Sequence, residues 1–112
     1  SDGGEYAMTN LLTKSLPITG IVAYNDYMAA GALSVLDENG IQAPDKMSII
    51  GFDDGLIARY VHPKLTTIRY PIQMMAEKAT RLALVLAKGR GTSSEPMMFS
   101  PTLVRRNSVE KI

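Results

Sequence analysis

The 112-residue chain has no cysteine and no tryptophan, one histidine, two phenylalanines and five tyrosines. Missing thiols exclude disulfides and thiolate metal sites, and the lone histidine, His62, has no nearby partner at metal-ligand or catalytic-triad spacing. An excess of either charge is also lacking. Twelve basic and eleven acidic side chains leave a formal net charge of +1, too weak a field to hold nucleic acid or an anionic membrane by itself. No apolar run approaches the roughly 20 residues that cross a bilayer, and no basic segment followed by an apolar stretch marks a secretion signal. Glycine-rich phosphate loops and nucleophile elbows are absent as well. The expectation is a cytoplasmic protein without cofactor, metal or membrane contact, whose DNA contacts, if any, come from residues outside this sequence.

What is present is a 46% hydrophobic composition, enough for a globular core. The opening Ser1-Asp2-Gly3-Gly4 has no initiator methionine and reads as the start of a helix that would follow a strand, so a fragment of a longer protein is expected. Ala7, Met8, Leu11 and Leu12 recur at helical spacing, and Pro17 bars that helix from passing Leu16. Residues 20–24 form a compact apolar run, expected as a strand covered on both faces and ended by Asn25-Asp26. Met28, Ala32 and Leu36, flanked by Ala29 and Leu33, predict a helix that stops at Asn39-Gly40. Residues 47–52 repeat the buried-strand pattern and end in Asp53-Asp54. Strand, helix, strand at this spacing is a βαβ unit, which makes the two strands parallel and brings their carboxyl ends to one edge of a sheet. A third extended segment is expected over 65–70, closed by Pro71, and a long amphipathic helix over 72–88, ended by Gly89. A polar linker over 90–95 then leads to an edge strand over 97–105, interrupted at Pro101.

Open parallel sheets bind ligands beyond the carboxyl ends of their strands, where both polar pairs lie. Along an extended backbone neighbouring side chains diverge, so one member of each pair is expected to face the crevice while the other caps or turns. Asp26 is assigned to cap the helix that follows, which leaves Asn25 beside a carboxylate from the second strand. An amide and an acid near aromatic rings suit a polyhydroxylated ligand, with Tyr24, Tyr27, Phe52 and Tyr70 as candidate rings. The plain alternative is that these residues only cap and turn.

The order Ala23-Tyr24-Asn25-Asp26-Tyr27-Met28-Ala29-Ala30-Gly31-Ala32, then Ser48-Ile49-Ile50-Gly51-Phe52-Asp53-Asp54, resembles the effector-binding domain of the LacI/GalR family of transcription repressors. Residues 63–71, Pro-Lys-Leu-Thr-Thr-Ile-Arg-Tyr-Pro, look like that family's last interdomain crossover, and 100–108 like its closing strand. The Tyr-Val-His-Pro-Lys-Leu-Thr-Thr stretch from Tyr60 and the Ser-Pro-Thr-Leu-Val-Arg-Arg ending look most like galactose-responsive repressors and isorepressors. The resemblance implies an α/β fold, a parallel-sheet sandwich of periplasmic-binding-protein-like type, present here only in part and mainly as its C-terminal lobe. Residues 1–70 and 90–112 would belong mostly to that lobe, and the helix over 71–89 to the first lobe. The implied function is effector sensing and dimerisation within a DNA-binding repressor that is not an enzyme. Partners would be a sugar, operator DNA through an N-terminal helix-turn-helix beyond this sequence, and a second copy of the chain. Carried over position by position, Asn25 and Asp53 would reach the effector and Tyr70 would line the cleft, while Ala30, Arg59 and Tyr60 would lie at the twofold interface.

Two rival functions remain on residue grounds. A periplasmic sugar-binding protein would share the architecture and differ by a secretion signal. A Mg²⁺-dependent phosphatase or receiver domain would use Asp53 and Asp54 together, but adjacent residues on an extended strand diverge rather than converge on one ion. His62, next to Pro63, reads as a solvated loop residue, and the seven methionines as core filler.

Overall fold

A computed structural model describes residues 2–89 and 98–112. The chain divides into two compact units, Ser1–Arg69 with Leu103–Ile112, and Tyr70–Thr102.

In the first unit, α1 (Asp2–Thr13) buries Met8 and half-buries Leu11 and Leu12, the row its spacing predicts. β1 (Gly20–Val22), α2 (Asp26–Glu38) and β2 (Ser48–Ile50) follow as strand, crossover helix and strand. The strands pair in parallel, with Gly20 opposite Ser48, Ile21 opposite Ile49 and Val22 opposite Ile50. The helix stops where expected: Gly40 takes φ +69°, and the Ile41 amide donates to the Leu36 carbonyl at 2.9 Å. Its inner face, Ala29, Ala32, Leu33 and Leu36, packs with Met8, Ile49 and Leu65 into one core. Close approach of the two helices depends on Gly4, where a Cβ would stand 2.2 Å from the Met28 carbonyl oxygen.

One expectation fails at β1. Residues 20–24 are not covered on both faces, since Val22 is 82% and Tyr24 81% exposed. Pleating turns Ile21 and Ala23 toward the core and sends Val22 and Tyr24 the other way, and a purely apolar run hides that distinction.

β3 (Thr67–Arg69) continues beside β2 through a parallel bridge between Ile50 and Thr66, and β4 (Thr102–Val104) pairs with β3. The amides of Gly51 and Asp53 donate to the carbonyls of Thr66 and Ile68, both at 2.9 Å. Beyond β4 the chain returns to the start of β2. There the Ile49 amide donates to the Ser108 carbonyl at 2.8 Å, while the buried Ser108 hydroxyl donates to the Ile49 carbonyl and accepts from the Thr66 amide. The edge strand is shorter than expected. Residues 98–100 are not strand, Pro101 has no amide to give a ladder, and Met97 and the linker over 90–95 lie outside the described residues.

The second unit, taken by itself, carries α3 (Ile72–Ala87), closed by Gly89 at φ +67°. None of its residues is buried, and Lys78 holds its Nζ 5.3 Å from the centre of the Phe99 ring. Among the described residues no helix is long and apolar enough to cross a membrane.

Candidate functional site

Past the last paired residues of β1 and β2, the two chains stay in hydrogen-bond contact. The Ala23 amide donates to the Ile50 carbonyl at 2.9 Å and the Asp26 amide to the Phe52 carbonyl at 3.1 Å. Asn25 and Asp53 are the residues on either side of that second bond, so the parallel βαβ unit delivers an amide and an acid to one rim.

The roles within the first pair are the reverse of those expected. Asn25, extended at φ −153°, is the helix cap, and its Oδ1 accepts from the Met28 amide at 2.8 Å. That bond fixes the amide plane and leaves two N–H donors for other partners. Asp26 does not cap. It is 1% exposed, and its carboxylate accepts from the Phe52 amide at 2.8 Å, the Gly55 amide at 2.7 Å and the Thr67 hydroxyl at 2.6 Å. Three donors compensate the burial of a charge that would otherwise be costly. A signal for this was present in the sequence. Asp26 precedes buried Ala29 by three residues and buried Leu33 by seven, which sets it on the inward stripe of α2. Gly51 supplies the room, because a Cβ there would stand 2.2 Å from Asp26 Oδ1.

The second pair also departs from extended geometry. Asp53 sits at φ +104° and Asp54 at φ +53°, a region that L-residues rarely occupy. The Asp54 side chain is 4% exposed and held by two arginines, Oδ1 by Arg106 and Oδ2 by Arg69, each at 2.7 Å. Burial by itself would raise its pKa, but the hydrogen bonds and charges of Arg106 and Arg69 outweigh burial and hold the carboxyl below its ordinary value. Each carboxylate oxygen is thereby paired with its own guanidinium. Among the described residues no group of three or more His, Asp or Glu is placed to hold an ion. Asp53 is exposed, and among the described residues no hydrogen bond or ion pair engages its carboxylate.

The other candidates fall in three places. Tyr24 and Tyr27 are exposed and Phe52 half-buried, all within the first unit. Tyr70 belongs to the second unit, where it lines a shallow hollow of about 600 Å³ with Pro71, Gln73 and Glu77. Ala30, on α2, shares a hollow of about 280 Å³ with Ser34, Asp37, Val61 and His62. Arg59 and Tyr60 are exposed just before that loop, at the end of a 3-10 turn (Leu56–Arg59) that packs against α2. Sequence reasoning gave no role at this rim to Thr67, Ser108 or Arg106. Their significance comes from partners about 40 to 60 positions away in the chain.

Comparison with known proteins agrees with the α/β fold. The periplasmic binding protein-like domain family matches residues 2–109. Over 107 residues the chain is 56% identical to the HTH-type transcriptional regulator GalR of Escherichia coli (strain K12), covering 96% of this chain and 31% of that protein. A sugar-binding transcriptional regulator of the LacI family from Escherichia coli, solved with phosphate, matches at TM-score 0.82 and 36% identity, over 95% of this chain and 38% of that one. The transcriptional regulator CelR in complex with cellobiose matches at TM-score 0.89 and 28% identity, over 96% and 33%. The chain spans about a third of the length of these relatives.

Proposed function

The chain belongs to the periplasmic binding protein-like domain family, in the form carried by LacI/GalR transcriptional regulators, and from that premise we propose that it is the effector-sensing and dimerisation part of a sugar-responsive repressor. The effector is a galactose-like sugar. In this reading Asn25 donates to a hydroxyl or ring oxygen and Asp53 accepts from hydroxyls. The whole protein is cytoplasmic, binds operator DNA through a helix-turn-helix outside these residues, and works as a homodimer. Ala30, Arg59 and Tyr60 lie at the twofold contact. Sugar binding acts by shifting the populations of arrangements that do and do not fit the operator.

One observation supports this reading most. Neighbouring parallel strands bring Asn25 and Asp53 to a common rim, and of the acids at that rim Asp26 and Asp54 are fully engaged inside the protein while Asp53 is not. The likeness to GalR favours a galactose-like sugar over cellobiose or a purine.

Calorimetry of the full-length regulator against D-galactose, D-fucose, D-ribose and hypoxanthine tests the effector class. Asp53→Ala should weaken galactose binding by about 10- to 100-fold, the loss of hydrogen bonds to a charged group, and leave operator affinity nearly unchanged. Operator release by galactose at an unchanged concentration in that variant would remove Asp53 from the site.

A further inference from the structure

We propose that Asp26, Thr67, Asp54 and Arg106 form a positioning frame that holds the Asp53 carboxylate ready for the effector, an inference that rests on the effector reading above. The argument starts from a backbone outlier. Two successive non-glycine residues at positive φ are intrinsically unfavourable, and such conformations persist only where the surroundings over-determine them. Glycine, which adopts positive φ freely, stands nearby at Gly51 and Gly55 but not at the two positions that need it. Aspartates occupy those instead.

The surroundings do over-determine the loop. On one side Asp26 accepts from the amides of Phe52 and Gly55, closing a carboxylate bracket across the two residues between them. Thr67 Oγ1 ties that bracket to β3 by donating to Asp26 Oδ1 at 2.6 Å. The backbone of Asp53 is pinned to β3 as well, its amide donating to the Ile68 carbonyl at 2.9 Å. On the other side Asp54 is drawn inward by Arg69 and Arg106, and Arg106 is anchored in turn by its Nη1 donating to the Leu65 carbonyl at 2.9 Å. Each of these contacts restrains a neighbour of Asp53 or its main chain, and none touches its side chain. The result is one exposed carboxylate on a loop whose backbone has little freedom left. A group held in its binding geometry before the ligand arrives loses less entropy on binding, so rigidity at this place raises affinity.

The frame differs from an ordinary turn in what it predicts for binding. In the full-length regulator, with D-galactose as the calorimetric probe, Thr67→Val should weaken binding about tenfold, because it keeps the volume and removes the hydroxyl that ties the bracket to β3. Thr67→Ser, which restores the hydroxyl, should bind like the parent. Asp54→Asn should weaken binding at least as much, and if it does not fold, the Thr67 pair decides the matter. A double-mutant cycle separates positioning from general destabilisation: on an Asp53→Asn background the effect of Thr67→Val should shrink to about twofold or less. Parent-like affinity in Thr67→Val, while Asp53→Ala loses binding, overturns the frame and leaves the effector reading standing. So does an equal loss for Thr67→Val in both backgrounds. Absence of sugar binding by the parent protein overturns the effector reading and the frame with it.

Discussion

Helices α2 and α3 follow the same sequence pattern, an apolar stripe at helical spacing closed by a glycine at positive φ, Gly40 at +69° and Gly89 at +67°. Seven of the thirteen residues of α2 are buried, and none of the sixteen in α3. The helices also begin differently. Asn25 caps α2 with its side chain, whereas Pro71 gives α3 no side-chain cap. Periodicity therefore says which face of a helix is apolar and where the helix must stop, because both are local matters of spacing and backbone conformation. Whether anything lies against that face depends on elements distant in sequence, and α2 has them in α1, β2 and the 3-10 turn.

The comparison can be broken most decisively by paired truncations. Leu36→Ala, in the core formed by α2, should cost about 2–5 kcal/mol in this chain, whereas Leu84→Ala on α3 should cost less than about 1 kcal/mol. Urea denaturation reads both, and equal losses would erase the distinction between the helices. A second pair sharpens it within α1. Gly4→Ala must push α1 and α2 apart, since the new Cβ would meet the Met28 carbonyl oxygen at 2.2 Å, and should cost about 1–3 kcal/mol. Its neighbour Gly3 has nothing within 4 Å, so Gly3→Ala should be neutral or stabilise by up to about 1 kcal/mol. Similar changes at the two positions would mean that the helices do not pack where the structure puts them.

The smallest expected effect concerns acid. Because the folded-state pKa of Asp54 is depressed, its contribution to stability is fully present above its unfolded value, near 4, and is lost as pH falls through the lower folded value. The stability gap between the parent chain and Asp54→Asn should therefore be widest at neutral pH and narrow on acidification below about pH 4. A gap that widened toward low pH would show that the two arginines do not stabilise the charged form.

Much of the fold was legible in the residues. The βαβ unit, the parallel direction of its strands and the stops at Gly40 and Gly89 follow from apolar runs and turn residues whose effects are local. The rim was legible for the same reason, since parallel strands of similar length must end together. What each polar residue does at that rim was legible only in part. Asn and Asp are comparable caps, so capping preference did not tell Asn25 from Asp26; the place of Asp26 on the inward stripe of α2 was the local cue, and the space beside Gly51 with donors on Phe52, Gly55 and Thr67 made its burial possible. The divergence argument for Asp53 and Asp54 assumed an extended backbone that the loop does not have.

By itself the sequence determined the order of elements, the direction of the first two strands and the edge where the polar pairs gather, because spacing and chain connectivity leave few alternatives. Tertiary structure alone decided that of Asp53 and Asp54 the second turns inward and the first is left exposed. That choice balances the cost of burying a charge against donors that distant segments supply, and those donors come together only in the folded chain.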